Sequence, residues 1–348
     1  MALCLAIGLE ACGQAGDGPA GSVPPARGLR IGLLLPENQP PRYEQFDKPL
    51  IEAKVRELCP DCTVDYANAR GDAIAQHQQV DAMISNRVDV LVLDAVDTGS
   101  LRSSVEEAHS AHIPVVAYDN LSEGPVSAFV SFDGEQTSRI LGETLRKALS
   151  GDARGGRIVR VEGPRVSDQQ PALSELKGIG KVTKPYVAAA WNAGDAYAVM
   201  SGAIARLGDG HIQGVLAVTD ALSDGVISAL KDARIHPLPP VTGQDADLAA
   251  VRRIVSGDQY MTVYKSYRLE ADAAATMAVA LGRGAKATAI GKNRISSRTT
   301  KDIPSVLLTA VPVTVANVKS TVVKDGAYTI RQICTPELKS ACNKAGLT

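Results

Sequence analysis

Aromatic residues are scarce in this chain: 4% of 348 residues, with a single Trp and three Phe. Charge of one sign is missing as well. The 37 basic and 38 acidic residues leave a net charge of -1, which argues against bulk DNA, RNA or an anionic membrane face as a partner. Phosphate-cradling motifs are also absent. No G-x-G-x-x-G follows the first apolar run (Gly32 to Pro36), and there is no GxxxxGK[ST] loop and no G-x-S-x-G elbow, so dinucleotide, P-loop and α/β-hydrolase chemistries lack their turns. His109 and His112 lie three apart on a helical stretch with no third ligand in reach of the pattern, and read as surface histidines.

What is present is a globular composition: 45% hydrophobic and 22% charged. At about 100–200 residues per domain, the length suggests two lobes. Collagenous, disordered and multi-span membrane classes are excluded. The apolar run Met1 to Leu9, followed by Glu10-Ala11-Cys12, is too short to span a bilayer. It resembles the end of a lipoprotein signal in which Cys12 is lipidated, a disordered tail being the alternative. Residues 13–28, rich in Gly, Pro, Ala and Ser, read as a flexible tether.

From Leu29 the chain alternates β-branched runs with helical stretches, a rhythm that implies parallel sheets covered by helices. Strands are expected at 29–35, 63–67, 88–94 and 114–119. A helix over 72–86 is expected to turn Ile74, Met83 and Ile84 inward. The rhythm restarts at Ala128, with strands at 128–133, 157–161, 186–191, 214–220 and 240–245. The result is an α/β protein of two doubly wound lobes facing each other across a cleft. Cys59 and Cys62, in Cys-Pro-Asp-Cys, and Cys334 and Cys342 read as two local disulfides, free thiols being the alternative. A zinc site lacks a second ligand pair, and a redox CxxC belongs at a helix N-terminus rather than after a helix.

Ligands of open α/β sheets sit beyond the carboxyl ends of the strands. Asp94, Asp119, Asp133, Asp220 and Asp245 each end an apolar run. Capping and turn formation account for some of them, yet five in succession point to carboxylates that accept hydrogen bonds from hydroxyls. Arg42 and Lys265 stand at comparable positions as partly compensating cations, with solvated loop charges as the alternative. Tyr43 and Trp191 are the aromatic candidates for packing against a sugar ring, and core packing is the alternative for Trp191.

Arg42-Tyr43, Val88-Asp-Val-Leu-Val, Val116-Ala-Tyr-Asp119, Val130-Ser-Phe-Asp133, Gly243-Gln-Asp-Ala-Asp-Leu-Ala249, Met261-Thr-Val-Tyr-Lys265, Asp302-Ile-Pro-Ser305 and Val323-Lys-Asp-Gly326 together resemble the bacterial D-xylose-binding family. The resemblance runs from Leu29 to about Tyr328. It implies a type I periplasmic binding protein fold whose lobes are joined by a three-crossing hinge. The lobes would be 29–131 with 267–297, and 132–266 with 298–330, leaving 331–348 as a Cys-containing tail. It further implies sugar contacts from Arg42, Tyr43, Asp119, Asp133, Trp191, Asp220, Asp245 and Lys265, no cofactor, no metal and no catalytic residue. The chain departs from the family pattern at Thr219, at Gly134, in Ser167-Asp-Gln-Gln170, and in lacking a second Trp. D-xylose is therefore the leading ligand, with glucose, another pentose or a polyol as alternatives. The implied role is an extracytoplasmic, lipid-anchored monomer delivering a monosaccharide to ABC permease subunits, with no nucleic acid and with membrane contact only through the anchor. A receptor for a sensor kinase, a sugar-responsive regulator and a glycosidase are the competing functions.

Overall fold

A computed structural model describes residues 28–37, 42–149, 156–164 and 169–348. Cys12, the tether up to Arg27, Ser167 and Asp168 lie outside the described residues. The strands in chain order are β1 (Arg30–Leu35), β2 (Thr63–Asn68), β3 (Val90–Leu93), β4 (Val115–Tyr118), β5 (Ala128–Phe132), β6 (Arg157–Glu162), β7 (Lys181–Val187), β8 (Ile212–Ala217), β9 (Thr262–Tyr264), β10 (Asn293–Ile295), β11 (Ile303–Leu308) and β12 (Val311–Val313). The helices are α1 (Lys48–Leu58), α2 (Ala73–Ser85), α3 (Arg102–Ser110), α4 (Gly134–Leu149), α5 (Gln170–Glu175), α6 (Ala193–Leu207), α7 (Asp220–Asp232), α8 (Leu248–Ser256) and α9 (Tyr267–Gly282). Shorter helical turns follow at Ile330–Ile333 and Lys339–Lys344. Among the described residues, no helix is long and apolar enough to cross a membrane.

The first lobe is a seven-stranded sheet in the order β10-β11-β5-β4-β3-β1-β2, parallel except where β10 pairs with β11. β3, β4 and β5 are buried along their whole length, and β3 and β4 are the continuous apolar runs that a sheet covered on both faces requires. On one face α9 brings Ala271, Ala274, Ala275 and Ala278 against Ile51 and Val55 of α1, small side chains at helical spacing that let the two helices approach closely. The opposite face packs α2 and α3 through Val80, Met83, Val105 and Ala108. Ile74 does not join them and is 72% exposed. The buried face of α2 runs through Gln76, Val80 and Met83, and two positions along a helix are about 200° of rotation.

The second lobe has a parallel sheet in the order β7-β6-β8. Single bridges extend it from Val215 to Val241 and from Gln244 to Val263, reaching β9, which pairs antiparallel with β12. The expected strand at 240–245 is thus reduced to isolated bridges, because Pro240 has no N–H to offer and the backbone turns at Asp245 and Ala246, both at positive φ. The chain passes between the lobes at three places: from β5 into α4, from β9 into α9, and from β11 into β12. Ile303–Leu308, expected in the second lobe, instead lies beside β5 in the first. The reason is its register, with Ser305 through Leu308 pairing with Phe129 through Phe132 and carrying the apolar pattern onto the sheet.

Both cysteine pairs are disulfide-bonded, Cys59 to Cys62 and Cys334 to Cys342. The second closes the C-terminal segment, whose Ile333, Cys342 and Leu347 are buried with Val251, Ile254 and Val255 of α8.

Candidate functional site

The carboxyl ends of β4 and β5 meet the start of α4 and the turn at Gln244 around a cavity of about 210 Å³. Asp119, Asn120 and Ser131 line it from the first lobe; Gln169, Gln244 and Lys265 line it from the other side. Amide, hydroxyl and charged groups thus face one another across the interlobe space.

Arg42 lies behind Asp119, outside the residues that line the cavity. Its side chain is 7% exposed and contacts both Asp47 carboxylate oxygens at 2.9 Å, Asp119 Oδ2 at 3.1 Å and Glu270 Oε2 at 3.1 Å. The guanidinium carbon also lies over the rings of Tyr43 (5.0 Å) and Tyr267 (4.9 Å), contacts that favour a desolvated cation. Burial alone would weaken its charge, but Asp47 and Asp119 overcome that and hold the pKa well above the usual value. Tyr118 donates its hydroxyl to Asp47 beneath this group.

Lys265 continues the chain of charges on the crossing from β9 to α9. Its Nζ lies 3.1 Å from Asp245 Oδ1. Burial again opposes the charge, and Asp245 with Asp119 more than restores it. Asp119, in turn, is pulled below the usual carboxylate range: burial pushes it up, but Arg42 and Lys265 prevail. The sequence Arg42–Asp119–Lys265–Asp245 therefore alternates in sign from the first lobe to the second.

Asp119 and Asp245 also share a backbone feature, φ of +54° and +100°, a region that non-glycine residues rarely enter and that collects at functional sites. Asn120 N–H bonds the Tyr118 carbonyl at 2.5 Å around Asp119. Tyr267 donates its hydroxyl to the Asp245 carbonyl at 3.1 Å.

The remaining acids are placed differently. Asp220 is 1% exposed and accepts from Gln259 Nε2 (2.7 Å), Thr262 Oγ1 (2.8 Å) and Asp247 N–H (3.2 Å). Gly243 must be glycine there, since a Cβ would sit 2.1 Å from Asp220 Oδ1. Asp94 is fully buried and accepts from Asn120 Nδ2 at 2.8 Å. Burial, with Asp119 nearby, pushes Asp94 well up, and burial with Asp247 and Asp245 does the same for Asp220. Asp133 caps α4 by accepting from Gln136 N–H at 3.1 Å. Tyr43 is 5% exposed, in the first-lobe core beneath Arg42. Trp191 lies just after β7, 44% exposed, flat against Gly163, where a Cβ would come within 2.4 Å of its ring. The structure thus brings Arg42, Tyr43, Asp119, Asp245 and Lys265 together. It holds Asp220 inside the second lobe and Asp133 at a helix cap, and sets Trp191 on the carboxyl edge of the second sheet.

Asp47, Glu270, Asn120 and Gln244 were missed by sequence reasoning. Gln244 alone carried a signal, its place in Gly-Gln-Asp-Ala-Asp. Away from the cleft, ligand atoms of His77, Asp81 and Glu107 lie within 4.8 Å of one another. They are half-buried or exposed on α2 and α3, an arrangement common without an ion, and His109 and His112 are not part of it.

The family described as "Periplasmic binding protein domain" matches residues 31–286. The D-xylose-binding periplasmic protein of Escherichia coli (strain K12) is 32% identical over 316 residues, covering 87% of this chain and 92% of that protein. A multiple sugar-binding periplasmic receptor of Rhizobium radiobacter is 29% identical, covering 74% of this chain and 80% of the receptor. Among solved structures, an ABC transporter solute-binding protein of Clostridium phytofermentans with bound β-D-glucose superposes with a TM-score of 0.78 at 26% identity, covering 87% of this chain and 99% of that one.

Proposed function

Because the chain belongs to the periplasmic binding protein family, we propose that it captures a neutral monosaccharide between its lobes and delivers it to the permease of an ABC importer. It works outside the cytoplasmic membrane, as its family does. The observation that carries the reading is the alternating row Arg42–Asp119–Lys265–Asp245 beside a cavity lined with amides and hydroxyls. Carboxylates held by cations keep lone pairs for hydroxyl donors, and such charge-assisted bonds are about twice as strong as neutral ones. A hydroxyl buried without a partner costs ~1–3 kcal/mol, so the site selects by hydroxyl pattern. Contacts from both lobes stabilise the closed arrangement more than the open one, which is what drives closure.

D-xylose is the favoured ligand, supported by the 32% identity to D-xylose-binding relatives. Glucose or a related pentose stands next, supported by the glucose-bound neighbour. Arg42, Asp119, Asp245 and Lys265 are assigned to sugar contact, with Trp191 as a lip that covers the ring on closure. Tyr43 acts through Arg42, and Asp220 and Asp133 act by shaping the second lobe. Cys12 is assigned as the site of a lipid anchor, which detergent partitioning of the full chain and of its Cys12→Ser variant tests.

Thermal shift and calorimetry against D-xylose, D-glucose, D-ribose, L-arabinose, myo-inositol and D-glucuronate test the reading. One neutral sugar is expected to bind near micromolar affinity, about 8 kcal/mol, and to raise Tm by mass action. No response to any saccharide, or turnover of an aryl glycoside, would overturn it.

A further inference from the structure

Asp325 lies far from the cavity in sequence, within Val323-Lys-Asp-Gly326, and sugar capture as described above assigns it no task. Its Oδ2 accepts the Tyr264 hydroxyl and, at 2.5 Å, the Ser266 hydroxyl. These two residues flank Lys265 on either side, and both are buried. One carboxylate oxygen thus ties down the chain immediately before and immediately after the lysine that faces the cavity. Asp325 is itself set by the turn after Lys319–Val323, where its N–H bonds the Thr321 carbonyl at 2.9 Å. Three residues on, Tyr328 meets Phe46 of the first lobe edge-on at 6.2 Å, and Phe46 stacks on Tyr267 at 5.0 Å. The crossing from β9 to α9 is therefore held by the C-terminal segment on one side and by Asp245 and Arg42 on the other.

We infer that Asp325 is a positioning residue for Lys265: by accepting from Tyr264 and Ser266 together it fixes the backbone on both sides of Lys265 and aims its ammonium at Asp245 and the cavity. The inference rests on the sugar-capture reading for its effect on affinity, but the placement of Lys265 can be read without any sugar. A lysine whose flanking residues are released samples more rotamers and loses part of its pairing with Asp245, because holding a long side chain in one geometry is an entropic cost that the flanking bonds reduce.

The test is Asp325→Ala, with Asp325→Asn as the conservative variant that keeps an acceptor oxygen, and Tyr264→Phe/Ser266→Ala as a pair that removes the donors instead. In the first arm, amine labelling of the ligand-free full chain is followed residue by residue by mass spectrometry, with Lys231, paired to Asp258 at 2.8 Å, as internal reference. Asp325→Ala and the donor pair are expected to speed labelling of Lys265 at least threefold relative to Lys231, and Asp325→Asn is expected to stay near wild type. In the second arm, sugar affinity is expected to fall about tenfold in Asp325→Ala, but less than twofold when the same change is made on Lys265→Met. Equal losses in both backgrounds, or unchanged Lys265 labelling, would overturn the assignment and leave Asp325 a merely structural residue. If Asp325→Ala does not fold, the donor pair carries both arms. If wild type binds no sugar, the capture reading falls, while the labelling arm still decides the role of Asp325.

Discussion

Glu270 and Arg42, 228 residues apart in the chain, meet at 3.1 Å in the wall beneath the cleft, and no nitrogen or hydroxyl donor among the described residues reaches the other Glu270 oxygen. Glu270 sits in the first turn of α9, directly after the crossing that bears Lys265. Burial pushes its pKa well up, Asp119 adds to this, and Arg42 only partly offsets it.

That relationship has a sign in pH. A carboxyl whose folded pKa is raised binds more protons folded than unfolded, so its contribution to stability falls as pH rises from the unfolded value upward. For Glu270 the decline begins near the ordinary 4.5 and continues until the folded pKa is passed. Glu270→Gln removes this component. Thermal melts between pH 4 and 9 are expected to show the variant gaining on wild type as pH increases, and a constant difference would refute the assignment.

Asp245→Asn preserves size and tolerates the positive φ that Asp245 adopts, while removing the charge opposite Lys265. Sugar affinity is expected to weaken by at least about tenfold, or ~1.4 kcal/mol, with Tm nearly unchanged. Calorimetry with an unaltered Kd would remove Asp245 from the binding surface.

Asp220→Ala is expected to behave in the opposite manner. It strips the acceptor from Gln259, Thr262 and the Asp247 N–H, leaving buried donors unpaired at a cost of about 2–4 kcal/mol in all. Urea unfolding reads this as a lowered midpoint with little change in slope.

Trp191 is the only tryptophan and is 44% exposed, so its emission reports on the lip of the second lobe alone. Adding the cognate sugar is expected to shift that emission to shorter wavelength, and Trp191→Ala to weaken binding about tenfold while leaving the melting temperature close to wild type. An emission spectrum insensitive to a sugar that calorimetry detects would place Trp191 outside the closing surface.

Replacing Cys334 and Cys342 with Ser frees a short loop in the unfolded chain and is expected to cost about 2–3 kcal/mol. The loss should fall on the C-terminal cluster around α8, which hydrogen exchange can localise.

The alternation of apolar runs and helical stretches made the first sheet legible, because β3 and β4 are buried on both faces and write their burial into unbroken apolar sequence, with β5 departing from it only at Ser131. The row of terminal aspartates was legible as a row but not in its division of labour. Asp119 and Asp245 differ from Asp220 through backbone angle and depth, which a residue letter does not carry. Glu270 was hidden for a related reason. In Tyr-Arg-Leu-Glu-Ala-Asp it looks like a solvated helix charge, and only the tertiary approach of Arg42 makes it interior. The resemblance implied that 298–330 belongs to the second lobe, whereas Ile303–Leu308 lies beside β5 in the first, a pairing between distant segments that the local sequence does not carry.

The left-handed backbone at Asp119 and Asp245 restricts how this pocket can diverge. Most side chains at those two positions incur strain before they meet any ligand, so a substitution meant to retune the pocket is better tolerated at Gln169 or Gln244, where the main chain has no positive φ.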